Sequence, residues 1–220
     1  MTLRTNARVA GFVLLLYIAT AIISMIMLPV TSGAVETATK LADIAKHVSL
    51  VRVDILLTLL QAAFALVLAA TFYALTRHVD QEPAMIALCC RVTEGVIIVI
   101  STLKSFALLS VATDGVDTVA SNTIAGLFLK TEGWIMLSSG TCFALGSTIY
   151  CYLFLRGRSI PRPLAWLGVV ASALLLVVVP LQLAGFIDPS VSSIWISMLL
   201  FEVVLAVWLL VKGVAIPLKN

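Results

Sequence analysis

Long apolar runs separated by short polar punctuation dominate this chain, and the length of the runs decides the fold class. Six stretches, 8–30, 50–75, 84–111, 127–155, 164–186 and 194–214, are mostly apolar. A helix needs about 20 such residues to cross the ~30 Å hydrocarbon layer of a bilayer. The pattern therefore predicts an all-α integral membrane protein, a single domain over 1–220 built as a six-transmembrane helix bundle. One connection differs from the others. In 35–48, Val35, Ala38, Leu41, Ala42, Ala45 and Val48 recur at helical spacing, with Glu36 and Lys40 four apart on the other side. That is an amphipathic interfacial helix between spans one and two.

The remaining punctuation is ordinary. Arg77–Pro83 reads as a polar connection, and Asp114 and Asp117 lie in a loop between spans three and four. Pro161 and Pro163 open span five, and Pro180 inside it should kink it. The first run follows a short basic head and exceeds the roughly 7–15 apolar residues of a signal peptide. Ser32-Gly33-Ala34 nevertheless has the small residues of a cleavage site, so signal-peptide cleavage at Ala34 stays as an alternative.

Composition supports the pattern. Hydrophobic residues make up 61% and charged residues 11%, with a mean hydropathy of +1.14. A soluble domain carries about 25% charged residues to cover its surface, so the outer faces of this bundle must meet lipid. Lys and Arg set the orientation. Outside the apolar cores, eight (Arg4, Arg8, Arg77, Arg156, Arg158, Arg162, Lys212, Lys219) fall on the amino-terminal side and four (Lys40, Lys46, Arg52, Lys130) on the other. Positive segments stay in the cytoplasm, which puts both termini there. A net charge of +3 without a basic stripe excludes nucleic acid as a partner. The lipid bilayer is the first partner, and a homo-oligomer is compatible with the sequence.

Several segments resemble a family of bacterial membrane proteins known as domain of unknown function 4386. They are Arg8-Val9-Ala10-Gly11 with Leu15 and Tyr17, and Arg91-Val92-Thr93-Glu94. Leu153-Phe154-Leu155-Arg156 leading to Ile160-Pro161 is a third, and Phe201-Glu202 through Trp208 to Lys212-Gly213 a fourth. The resemblance spans nearly the whole chain. It implies six spans in a bacterial cytoplasmic membrane, and no activity.

Charges inside the spans carry the remaining information, because each costs at least ~2.5 kcal/mol at a bilayer centre and so turns inward toward a partner. Arg91 and Glu94 share a face of span three, continued by Ser101 and Ser105. Asp54, Thr58 and Gln61 line span two. Glu132, Ser139, Phe143, Gly146 and Tyr150 line span four, and Trp195 and Glu202 share a face of span six. Four polar stripes should converge on one interior. The plainer reading is an ion pair of Arg91 with Glu94 or Glu202 that fixes packing alone. Asp54, Lys104 and Glu132 lie near span ends, where long side chains can snorkel to the interface.

Metal chemistry lacks ligands: His47 and His78 fall on opposite sides, the four cysteines (Cys89, Cys90, Cys142, Cys151) form no C-x-x-C pair, and they read as buried free thiols. No phosphate loop or nucleophile–histidine pair appears, so no cofactor is expected. Proton transfer by buried carboxyls remains. Glu94, Glu202 and Asp54, with Arg91 setting their charge states, could supply one neutral acid and one ionised base. Gln61, Ser101 and Glu132 would contact a hydrophobic small-molecule substrate. Phe64, Phe106, Trp134 and Phe143, with Tyr150, Trp195 and Phe201, offer ring faces to a carbocation. In type the chain is similar to small membrane-bound terpene cyclases, which protonate an isoprenoid chain; the likeness is an analogy of site, not of motif. The sequence-level expectation is thus a metal-independent acid–base enzyme on an isoprenoid-like substrate. The alternatives are a proton or solute transporter or lipid-binding protein, and a non-catalytic accessory subunit.

Overall fold

The computed structural model describes residues 2–27, 37–113, 119–188 and 193–214. Seven helices account for nearly all of them: α1 Leu3–Met27, α2 Thr37–Lys46, α3 Val48–Thr76, α4 Gln81–Thr113, α5 Val119–Arg156, α6 Arg162–Leu183 and α7 Ile194–Val211. No strand occurs among the described residues. Asp114, Asp117, Glu36, Pro189 and the Ser32-Gly33-Ala34 cleavage candidate lie outside them.

Five helices, α1, α3, α4, α6 and α7, are long and apolar enough to cross a membrane. That is a multi-pass helical membrane protein. The fourth expected span, α5, is absent from this set despite running from Val119 to Arg156. Its Ser138-Ser139-Gly140-Thr141 and Gly146-Ser147-Thr148 segments dilute an otherwise apolar helix.

The six long helices close into a ring. Each packs against its neighbour in the chain, α1 on α3, α3 on α4, α4 on α5, α5 on α6 and α6 on α7, and α7 returns to α1. A continuous core of small and aliphatic residues, including Ala10, Leu14, Leu68, Leu75, Leu175 and Leu209, fills the centre. Many large apolar side chains face outward, such as Phe12, Leu56, Leu103, Val170 and Leu200. That inside-out surface suits acyl chains rather than water.

Glycines let the ring close tightly. A Cβ on Gly11 would sit 2.6 Å from the Ala206 carbonyl of α7, and one on Gly168 would sit 2.5 Å from the Phe201 ring. Gly140 receives Trp195 and Gly146 receives Arg91 in the same way. This is the close backbone approach that small residues permit where lipid gives helices no hydrophobic reason to associate.

A second, separate core lies at one end. Ile44 of α2, Val51 and Ile55 of α3, Leu108 and Leu109 of α4 and Ala125 of α5 form it. Here the expected face of α2 is corrected. Ile44, Leu41 and Val48 face the protein, whereas Ala38, Ala42 and Ala45 are exposed. Long side chains with apolar area to bury outcompete alanine for the packed side. Two boundaries also move. Pro83 belongs to the first turn of α4, where its missing N–H costs nothing. Pro180 sits in the last turn of α6, so any break it causes falls at the helix end.

Candidate functional site

Three contacts, two of them ion pairs, fix α4 against α5 in a constant antiparallel register. Asp80 and Arg156 pair at 2.7 Å, Arg91 lies against Gly146, and Lys104 and Glu132 pair at 3.3 Å. At 1.5 Å per residue, the outer two contacts are about 36 Å apart along α4, a little more than a hydrocarbon layer. Arg91 and Glu94 fall midway between them.

The midway cluster is closed. Arg91 and Glu94 expose 2% and 1% of their side chains, and Arg91 Nη1 approaches Glu94 Oε2 at 2.8 Å across one helical turn. Tyr17 of α1 donates its hydroxyl proton to Glu94 Oε1 at 2.7 Å. The Arg91 guanidinium lies 4.8 Å from the Phe143 ring centre and 5.6 Å from that of Tyr17, so two ring faces replace water around the cation. Arg91 Nε and Nη1 and Glu94 Oε2 are buried without an aligned hydrogen bond. The charge contact is close, but off the direction a full hydrogen bond requires.

Glu202 of α7 is half-buried and lies near enough to Arg91 and Glu94 to interact with both charges. It makes no hydrogen bond or ion pair with a described residue. Arg91 therefore forms its ion pair with the acid on its own helix, and the interhelical one acts on it only through space. Phe201 is buried in Gly168, and Phe143 stacks at a tilt on Trp195 with ring centres 6.2 Å apart. Tyr150 is also committed: its hydroxyl donates to the Ala69 carbonyl at 3.1 Å, and its ring meets Phe72 edge-on. Phe64 and Gln61 are half-buried on α3.

A second cluster lies toward the end that carries α2. Ser24 of α1 donates a hydrogen bond to Asp54 Oδ1. Lys104, 8% exposed, pairs with the half-exposed Glu132, and Asp54 lies within electrostatic reach of both. The polar stripes thus converge at two levels rather than one. Ser101 is half-buried between those levels, its hydroxyl donating to the Ile98 carbonyl.

Two of the candidate aromatic residues lie off the inward stripes. Phe106 and Trp134 are 50% and 60% exposed and point away from the interior. Each is out of phase with the inward stripe of its helix, two residues from Lys104 and Glu132 respectively, and residues two apart occupy different faces. Trp134 instead lines a lateral groove of about 560 Å³ between α4 and α5, with Ile97, Ile100, Phe128, Ile135 and Lys104. This groove does not include Glu94 or Glu202. Of the cysteines, Cys151 is buried beside Gly168 but Cys89 is exposed on the outer face of α4. His47 and His78 lie at opposite ends of α3.

Sequence reasoning passed over two members of the site. Tyr17 and Ser24 both sit on α1, which carries no charge beyond Arg8. The signal for Tyr17 was present, since a phenolic hydroxyl deep in an apolar helix must find a partner. Its position identified no particular acid.

Among curated proteins and among solved structures, nothing matches the chain. A family profile described as "Domain of unknown function (DUF4386)" matches residues 9–213, from the second turn of α1 through the glycine that follows α7, and the chain belongs to that family.

Proposed function

We propose that the chain crosses the bilayer six times, both termini in the cytoplasm, and binds a lipid-soluble amphiphile in the lateral groove between α4 and α5. The observation that carries the binding reading is the groove itself. Its volume of about 560 Å³ falls in the range of small-molecule sites, roughly 300–1,000 Å³. Its walls are apolar except near Lys104, Thr131 and Ser138, with Glu132 paired to Lys104. A molecule with a small polar head at that ion pair would run its apolar tail along Ile100 and Ile97 toward the midplane. An isoprenoid-like chain has that form. Six crossings are supported by α5, which packs along both α4 and α6, and by ion pairs near both membrane faces on the α4–α5 pair. The excess of Lys and Arg on the amino-terminal side supports the orientation, and a bacterial cytoplasmic membrane is the setting.

Mass spectrometry of molecules retained through purification tests this. Wild type should carry a discrete amphiphile, and Ser138→Phe, which fills the groove, should lose it. Equal retention by both would end the binding reading.

A second reading, acid–base turnover of such a molecule in the manner of small terpene cyclases, is favoured by Glu202. It is the midplane acid without a bonded partner, held near the Arg91 cation. On this reading Glu202→Gln abolishes turnover while leaving folding intact, and full activity in that variant would remove it.

A further inference from the structure

At the end of the bundle away from α2, the turn between α5 and α6 faces the last residues of α7 across a crevice of about 340 Å³. Arg158, Ser159 and Pro161 form one wall and Trp208, Lys212 and Gly213 the other. Ser159 is the informative residue. Its side chain is 2% exposed, its backbone N–H is spent on the Phe154 carbonyl, and its hydroxyl is buried with no partner. Leaving a buried hydroxyl unpaired costs about 1–3 kcal/mol, so the geometry asks for an acceptor.

The charges around it specify that acceptor. Arg158 and Lys212 are exposed and make no ion pair with a described residue, and no acid lines the crevice. Asp80, at the same end, is held by Arg156. Arg4 of α1 approaches the crevice through Gly213. The amino-terminal end of α6 opens beside it at Pro161 and Pro163, neither of which has an N–H to donate, so the helix contributes only the partial positive charge of its dipole. Two cations and a hydroxyl arriving from different directions suit a tetrahedral anion with several oxygens. Trp208 beside them is the amphipathic ring that belongs at headgroup depth.

We infer that this crevice binds a phosphate group, supplied by the headgroup of an anionic lipid or by a soluble phosphate. It is independent of the α4–α5 groove. Native mass spectrometry of the protein released from nanodiscs of equal phosphatidylglycerol and phosphatidylcholine tests it, alongside thermal unfolding in neutral detergent with and without inorganic phosphate. Wild type should retain phosphatidylglycerol preferentially. Each lost cation should weaken that retention about fivefold, so Arg158→Gln with Lys212→Gln should reduce it about 25-fold. Ser159→Ala should weaken retention without lowering the unfolding temperature in phosphate-free detergent. Stabilisation by inorganic phosphate, lost in the double variant, would assign the site to a soluble phosphate; lipid preference without it would assign a headgroup. No preference for phosphatidylglycerol together with no phosphate stabilisation, or either effect unchanged in both variants, would overturn the inference.

Discussion

Removing the carboxylate of Glu94 should harm the fold far more than removing the whole ion pair. Arg91 and Glu94 are both essentially out of solvent, 2.8 Å apart, and Tyr17 contributes a further bond to the same acid. Glu94→Leu leaves a guanidinium buried against two aromatic faces with no counter-charge in contact. Breaking a buried pair in this way costs about 3–5 kcal/mol. Arg91→Leu strands the opposite charge and should cost a similar amount. Replacing both with leucine removes the desolvation problem along with the attraction, and such swaps are often neutral. The double variant should therefore be more stable than either single one, with a coupling of about 3 kcal/mol or more between the two sites. Reversible unfolding in mixed micelles, run as a double-mutant cycle, measures this. Effects that simply add would show that the two groups do not depend on each other, and the reasoning would fail.

The packing predictions are as specific. Gly168→Ala should cost about 1–3 kcal/mol, because its Cβ meets the Phe201 ring at 2.5 Å and Cys151 at 2.8 Å. Gly133→Ala meets nothing within 4 Å and should gain about 0.5–1 kcal/mol from helix propensity; unfolding temperatures in one detergent compare the two. Tyr17→Phe should lose about 1.5–3 kcal/mol, the value of a hydrogen bond to a charged group. Arg156→Gln, which breaks the half-exposed pair with Asp80, should change stability by no more than about 1 kcal/mol. If those last two variants gave equal losses in the same assay, burial would not be what sets the strength of these contacts.

Much of the fold was legible because lipid imposes a simple rule: apolar runs of sufficient length become helices, and the few charges turn inward. The Arg91–Glu94 contact could be read from their spacing alone, since residues three apart share a helix face. What spacing on single helices cannot carry is the register between helices. It takes the packed ring to show that Tyr17 meets Glu94, that Ser24 meets Asp54, and that the polar stripes gather at two levels rather than one. Glu202 illustrates the same gap: its depth was readable, but not that Arg91 would pair with Glu94 instead. That Trp134 and Phe106 lie off the inward stripes is a matter of helical phase, which aromatic identity does not carry. The α2 face was misjudged for a related reason, alanine being counted equal to isoleucine. Ser159 gave no signal, because an unpaired hydroxyl exists only once its neighbours are in place.

Photocrosslinking from inside the groove tests the binding account most directly. A benzoylphenylalanine placed at Ile135 faces the groove, and one at Val170 faces outward from α6. After irradiation in native membranes, mass spectrometry should find one dominant adduct at Ile135 and a mixture of bulk phospholipids at Val170. The same mixture at both positions would mean that the groove is ordinary lipid-facing surface, and the proposed binding site would be lost.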